Sequence, residues 1–173
     1  MRTILAILLF AASACAQSVP AAGDASAVCG GLPNTTFEVK TDNSQHNAQP
    51  VAGKAIVYFL QDDTNYLARP RPATRFAVDG AWVGATHSDS YFYFPVEVGE
   101  HHLCATWQPG GLDSAVRSGA AHFTAEAGHV YYFRAQNSSR RDGTRAIEFA
   151  RVDSDEAQLL IRQYAFSSSS VKK

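Results

Sequence analysis

Apolar residues in this chain come in short runs divided by Gly, Pro, Asn and Asp, and most alternate with polar neighbours, as strands do. After Lys54 the run Ala-Ile-Val-Tyr-Phe-Leu is unbroken, rich in β-branched and aromatic residues, and followed by Gln61-Asp62-Asp63. It predicts a strand covered on both faces that ends at those polar residues. Residues 74–78 and 81–84 flank Asp79-Gly80, a pair that accepts the positive φ of a tight hairpin. In Tyr91-Phe92-Tyr93-Phe94 the tyrosines share one face and the phenylalanines the other, and the phenylalanines are expected in the core. A second turn at Val98-Gly99-Glu100 leads into a return strand. Its Leu103, Ala105 and Trp107 lie on one face and its His102, Cys104 and Thr106 on the other, before Gly110-Gly111. Residues 121–126 and 129–136 predict a third hairpin around Ala127-Gly128, and residues 144–152 a further strand after a polar loop at 137–143. One helix is expected near the C-terminus. Asp153 caps it with Glu156 three positions on, and Ala157, Leu160, Ile161 and Tyr164 line one face. The expected fold class is mainly β, an antiparallel β-sandwich or open barrel with one C-terminal helix.

The ends read differently. Arg2 precedes an apolar run from Ile4 to Phe10, too short to span a bilayer but suited to a signal peptide, which we place at residues 1–16. Ala14-Cys15-Ala16 fits a small-x-small cleavage site before Gln17, whereas Ala12-Ser13-Ala14-Cys15 resembles a lipoprotein box that would acylate Cys15 and supply a lipid anchor. The absence of Leu at position 12 favours the first reading. A flexible linker of Ala, Ser, Pro and Gly is expected over residues 17–28, an N-terminal arm over 29–53, the β-sandwich domain over 54–166, and a disordered tail over 167–173.

After cleavage about 150 residues remain, enough for one core. Lys and Arg number 15 against 16 Asp and Glu, so no basic face for nucleic acid is implied. Cys29 and Cys104 are the only thiols left beyond Cys15, and in an exported protein they are expected to form a disulfide.

Several blocks, in order and spacing, resemble a known family. They are Gly53-Lys54-Ala55-Ile56-Val57-Tyr58-Phe59, Val78-Asp79-Gly80-Ala81-Trp82-Val83-Gly84, Tyr91-Phe92-Tyr93-Phe94, Gly99-Glu100-His101-His102 before Cys104, and Thr124-Ala125-Glu126-Ala127-Gly128-His129-Val130-Tyr131-Tyr132-Phe133. The chain is similar to the bacterial domain of unknown function 2846, found in exported proteins and lipoproteins. Its turn logic also resembles the PEGA module of bacterial surface proteins, although Glu97-Val98-Gly99-Glu100 replaces that module's signature. Neither resemblance brings catalytic residues.

The candidate chemistry is sparse. His101 and His102 are adjacent on a strand and point to opposite faces, so a metal would need His102 joined by His122, or His101 by His129. Cys104 beside His102 would make a thiolate and base only if the disulfide were absent. No nucleophile elbow, metal-binding helix motif or phosphate loop is present. We therefore expect no catalytic residue, metal or cofactor, and take Trp82, Tyr91, Tyr93 and Tyr132 as the contact surface. The expectation is a non-catalytic cell-envelope module, in the periplasm or outside the cell, whose partner is an envelope protein, a peptide or a glycan. A small-ligand or metal carrier and a hydrolase with an unfamiliar site are the alternatives.

Overall fold

A computed structural model describes residues 29, 34–108 and 117–173. The expected signal peptide with Cys15, the linker at 17–28 and the Gly110-Gly111 turn lie outside them. Among the described residues the chain forms β1 (Phe37–Asp42), β2 (Ala55–Asn65), β3 (Ala73–Val78), β4 (Ala81–His87), β5 (Ser90–Val96), β6 (Gly99–Trp107), β7 (Ser118–Ala125), β8 (Val130–Ser139), β9 (Arg145–Val152), α1 (Ser154–Gln163) and β10 (Ala165–Val171). The strands build a six-stranded sheet, β1-β10-β5-β2-β8-β9, and a four-stranded sheet, β4-β3-β6-β7. This is the mainly β, sandwich-like fold with one late helix that the pattern predicted.

Strand alternation explains the layers. Val57, Phe59, Phe92, Phe133 and Phe149 point from the large sheet toward Phe76, Val78, Leu103 and Phe123 of the small one. Each such side chain contributes about 1.5–3 kcal/mol on burial. Ile56, Tyr58, Leu60, Tyr91 and Tyr132 project from the other face of the large sheet, where Ala157, Ile161 and Tyr164 cover them. The helix starts as expected, with Asp153 Oδ1 accepting from the Glu156 amide at 2.8 Å. β2 and β5 are central and buried on both faces, hence their near-continuous apolar runs.

Of the three turn signals only the first makes a hairpin. Asp79 (φ 49°) and Gly80 (φ 78°) join β3 to β4, with Val78 opposite Ala81. At the second, the chain leaves β5, which pairs with β2 and β10, and enters β6, which pairs with β3 and β7. The third likewise carries it from β7 in the small sheet to β8 in the large one. Gly99 (φ 127°) and Gly128 (φ 79°) provide the reversals, but the pairing partner is set by which sheet buries the apolar face. β8 consequently runs parallel to β2, and β10 runs parallel to β5, so the large sheet is mixed.

The tail expectation is overturned. Residues 165–171 form β10, antiparallel to β1 from Phe37↔Val171 to Asp42↔Phe166. Its serines are small enough to sit in the seam between sheets. Ser167 Oγ donates to Ser90 Oγ at 2.9 Å, and Ser169 Oγ accepts from the Ala85 amide at 3.0 Å. The domain therefore extends beyond the expected 54–166 at both ends, taking in β1 from the arm. Two strands also outrun their expected ends: β2 continues through Gln61-Asp62-Asp63, and β8 continues into the polar stretch at 137–139.

The expected disulfide is present. Cys29 and Cys104 are bonded with Cα atoms 5.7 Å apart, a normal span for a bridge. Cys104 lies on the outer face of the small sheet opposite Ala77, beside Arg75, whose Nη1 donates to the Thr35 carbonyl at 2.5 Å. The arm is thus held against that face at two points.

Candidate functional site

The four aromatic residues expected to share a contact surface do not share one. Tyr91 is fully buried, its hydroxyl accepting from the His46 amide and donating to the His46 carbonyl, each at 3.0 Å. Tyr93 is half-buried against Tyr58 and Phe166. Trp82 lies on the small sheet under the Arg75 guanidinium, 4.4 Å from its ring centre. Tyr132 is buried beneath α1, with its hydroxyl accepting from Gln158 Nε2 at 3.0 Å. The reason is the cover: α1 and the 46–51 segment lie over the outer tyrosines, and sequence periodicity does not show which strand face such a cover will occupy.

What stays open on that face is a cleft at one end. Its enclosed part, about 90 Å³, is lined by Pro50, Val51, Ile56, Tyr58, Val130 and Tyr132. Val51 and Val130, 41% and 44% exposed, put two large apolar side chains at the rim of this cleft. The Tyr58 hydroxyl accepts from the Ala48 amide at 2.8 Å, which fixes the loop wall. Past Val130 and Tyr132 the cleft opens into a trough of about 500 Å³ bordered by Arg151, Val152, Asp153 and Ser154.

A second cluster, between the sheets, escaped the sequence reading. Gln61, Asp63, Thr74, Thr86 and Asn137 are all wholly buried. Trp107 Nε1 donates to Asn137 Oδ1 at 2.8 Å, and Asn137 Nδ2 donates to Asp63 Oδ1 at 2.7 Å. From the other side Thr86 Oγ1 donates to Gln61 Oε1 at 2.7 Å, and Gln61 Nε2 reaches both Asp63 oxygens at 3.0 Å. Both chains of bonds end at the Asp63 carboxylate, and side branches run from Gln61 Nε2 to the Pro72 carbonyl at 2.9 Å and from Asn137 Nδ2 to Thr74 Oγ1 at 3.4 Å. Burial pushes its pKa above the ordinary carboxylate value, although the two amides pull the other way. Asp89 stands beside it, accepting from the Asp63 amide at 2.7 Å and from Arg71 Nη1 at 2.8 Å. The signal available in the sequence was the spacing of Phe59, Gln61 and Asp63, which continues the inward face of β2.

The histidines separate. His101 is inside, with Nδ1 2.6 Å from Asp79 Oδ2 and Nε2 2.8 Å from the Glu97 carbonyl. Burial disfavours its charged form, but the Glu97 carbonyl and Asp79 carboxylate outweigh that and raise its pKa. His129 is exposed near Glu126 and is not brought to His101. His102 and His122 do meet across β6 and β7. No cluster of three or more His, Cys, Asp or Glu side chains suited to a metal ion occurs among the described residues. Cys104 is committed to the disulfide and provides no thiolate for His102.

The fold and its disulfide-tied arm define a two-sheet β domain with a small apolar cleft. The family described as Protein of unknown function (DUF2846) matches residues 51–147. That is more than half the chain, and the protein belongs to this family. The match runs from the loop before β2 into β9, leaving β1, α1 and β10 outside it. No curated protein and no solved structure matches the chain. No helix among the described residues is long and apolar enough to cross a membrane.

Proposed function

We propose that this protein is an exported, non-catalytic module of the bacterial cell envelope that holds an extended, apolar peptide segment of another envelope protein. The observation that carries the binding role is the cleft between Val51 and Val130. Its enclosed part is smaller than the ~150 Å³ cavity that accepts a benzene ring and suits one aliphatic side chain. The adjoining trough then accommodates the residues that follow. A glycan fits less well, because the enclosed part of the cleft is lined mostly by apolar groups, among them Pro50, Val51, Ile56 and Val130. Export is supported by the Arg2 and Ile4–Phe10 pattern, and a Cys29–Cys104 bridge is the state expected in an oxidising compartment.

Site-specific photo-crosslinking in the native host tests this. A photoreactive residue at Val130 or Val51 should give the same discrete adduct, whereas one at Leu67, equally apolar and 71% exposed, should not. Adducts at all three positions, or at none, would overturn the assignment.

A further inference from the structure

We propose that His102 and His122 form a two-imidazole site for a divalent transition-metal ion, copper(II) before zinc(II), on the outer face of the small sheet. The two residues are directly opposite in the antiparallel pair of β6 and β7. His102 directs both backbone groups away from β7: its amide donates to Asp79 Oδ1 at 2.9 Å and its carbonyl accepts from the Asp79 amide at 2.8 Å. His102 and His122 therefore make a non-hydrogen-bonded pair, the type in which opposing side chains stand closest, with Cα atoms about 4.5 Å apart.

The ring centres are 6.5 Å apart and tilted by 40°. Two imidazoles bound to one ion through ~2.0–2.1 Å bonds have centres roughly 5 Å apart. Both side chains are exposed, so a small turn about their side-chain bonds closes the difference. Neither ring has a hydrogen-bond partner among the described residues, in contrast to His101, both of whose nitrogens are occupied. Asp79 is held by other partners, with Oδ1 accepting from the His102 amide and Oδ2 facing His101 Nδ1.

The backbone beneath is fixed. β6 is paired on both edges, and Cys104, next along the same face, is bridged to Cys29. Glu100, opposite Thr124, adds negative charge on that face. Imidazole suits copper, nickel and zinc, and copper(II) binds most tightly in the usual order. Two protein donors leave the remaining positions to water, so the site takes an exchangeable ion rather than a structural one.

Titration of the processed protein with copper(II), followed by electron paramagnetic resonance, should show one ion per chain with splitting from two nitrogens. H102Q and H122Q should each weaken binding at least tenfold and leave one of those two nitrogens. Zinc(II) should displace the copper only at large excess. Both variants change exposed side chains and should keep the wild-type unfolding midpoint in chelator. H46Q should bind as the wild type does. Absence of stoichiometric binding, or an unchanged two-nitrogen signal in H102Q and H122Q, would overturn the site.

Discussion

Asn137 on β8 donates from Nδ2 to Oδ1 of Asp63 on β2 at 2.7 Å, with both side chains wholly buried. The direction of this bond is not free. Trp107 can only donate, so Asn137 must turn its oxygen to Trp107 and its amino group to Asp63. Gln61 is oriented by acceptors, since its Nε2 donates to Asp63 and to the Pro72 carbonyl, which leaves Oε1 to accept from Thr86 Oγ1.

Asp63→Asn should consequently destabilise the fold, because even with its oxygen kept where Oδ1 accepts from Asn137, its amino group would face the amino group of Gln61. A loss of about 1–3 kcal/mol in urea unfolding is expected. An unchanged midpoint would mean that the network can reverse its bonds at no cost.

The His101–Asp79 pair should make stability depend on pH. His101 has a folded pKa above its usual 6.5, so its contribution is complete below that value and fades as pH rises through the raised one. Burial opposes the charge on Asp79, but the His102 amide and His101 hold it below 3.8; its contribution exists above 3.8 and is lost as pH falls through the lowered value. H101Q should therefore lose most relative to wild type between about pH 4 and 6.5, and the difference should shrink at alkaline pH. A difference that stays constant from pH 5 to about 9 would rule out an imidazolium at this position.

Gly119 on β7 is where the two sheets approach at one side of the sandwich. A methyl group built there would lie 2.6 Å from Phe149 Cβ on β9, which is too rigid to swing away. G119A should destabilise by about 1–3 kcal/mol through overpacking, read by thermal unfolding. Stability equal to wild type would show that β7 and β9 separate easily.

The disulfide spans 75 positions, and reduction should lower the unfolding midpoint by the equivalent of about 4 kcal/mol of unfolded-chain constraint. Thiol labelling of the unfolded, unreduced, processed chain should find no free thiol. Two reactive thiols per chain would refute the bridge.

Intact mass settles the processing of the N-terminus. The expected product is an unmodified chain beginning at Gln17. A chain beginning at Cys15 and carrying added acyl mass would instead show lipid anchoring.

Local spacing alone determined the strand runs, the Asp79-Gly80 hairpin, the core side of Phe92, the shared face of Leu103, Ala105 and Trp107, and the Asp153 cap, because period and turn chemistry act between near neighbours. The cleavage expected before Gln17 would remove Cys15, which made Cys29 and Cys104 the expected partners, and the structure joins them. Tertiary structure decided the rest. The turns at Gly99 and Gly128 gave reversals without pairing, since burial in two different sheets outweighed the return along one. The serines of β10 found partners on two sides, Ser90 on the neighbouring strand β5 and the Ala85 amide on β4 of the other sheet. Asp63 entered the interior because residues far away in sequence, Asn137 and Trp107, aligned their donors toward it. The meeting of His102 with His122 required a register that sequence alone leaves open. In each case a polar or small residue took its place from partners brought near only by the packing of distant strands.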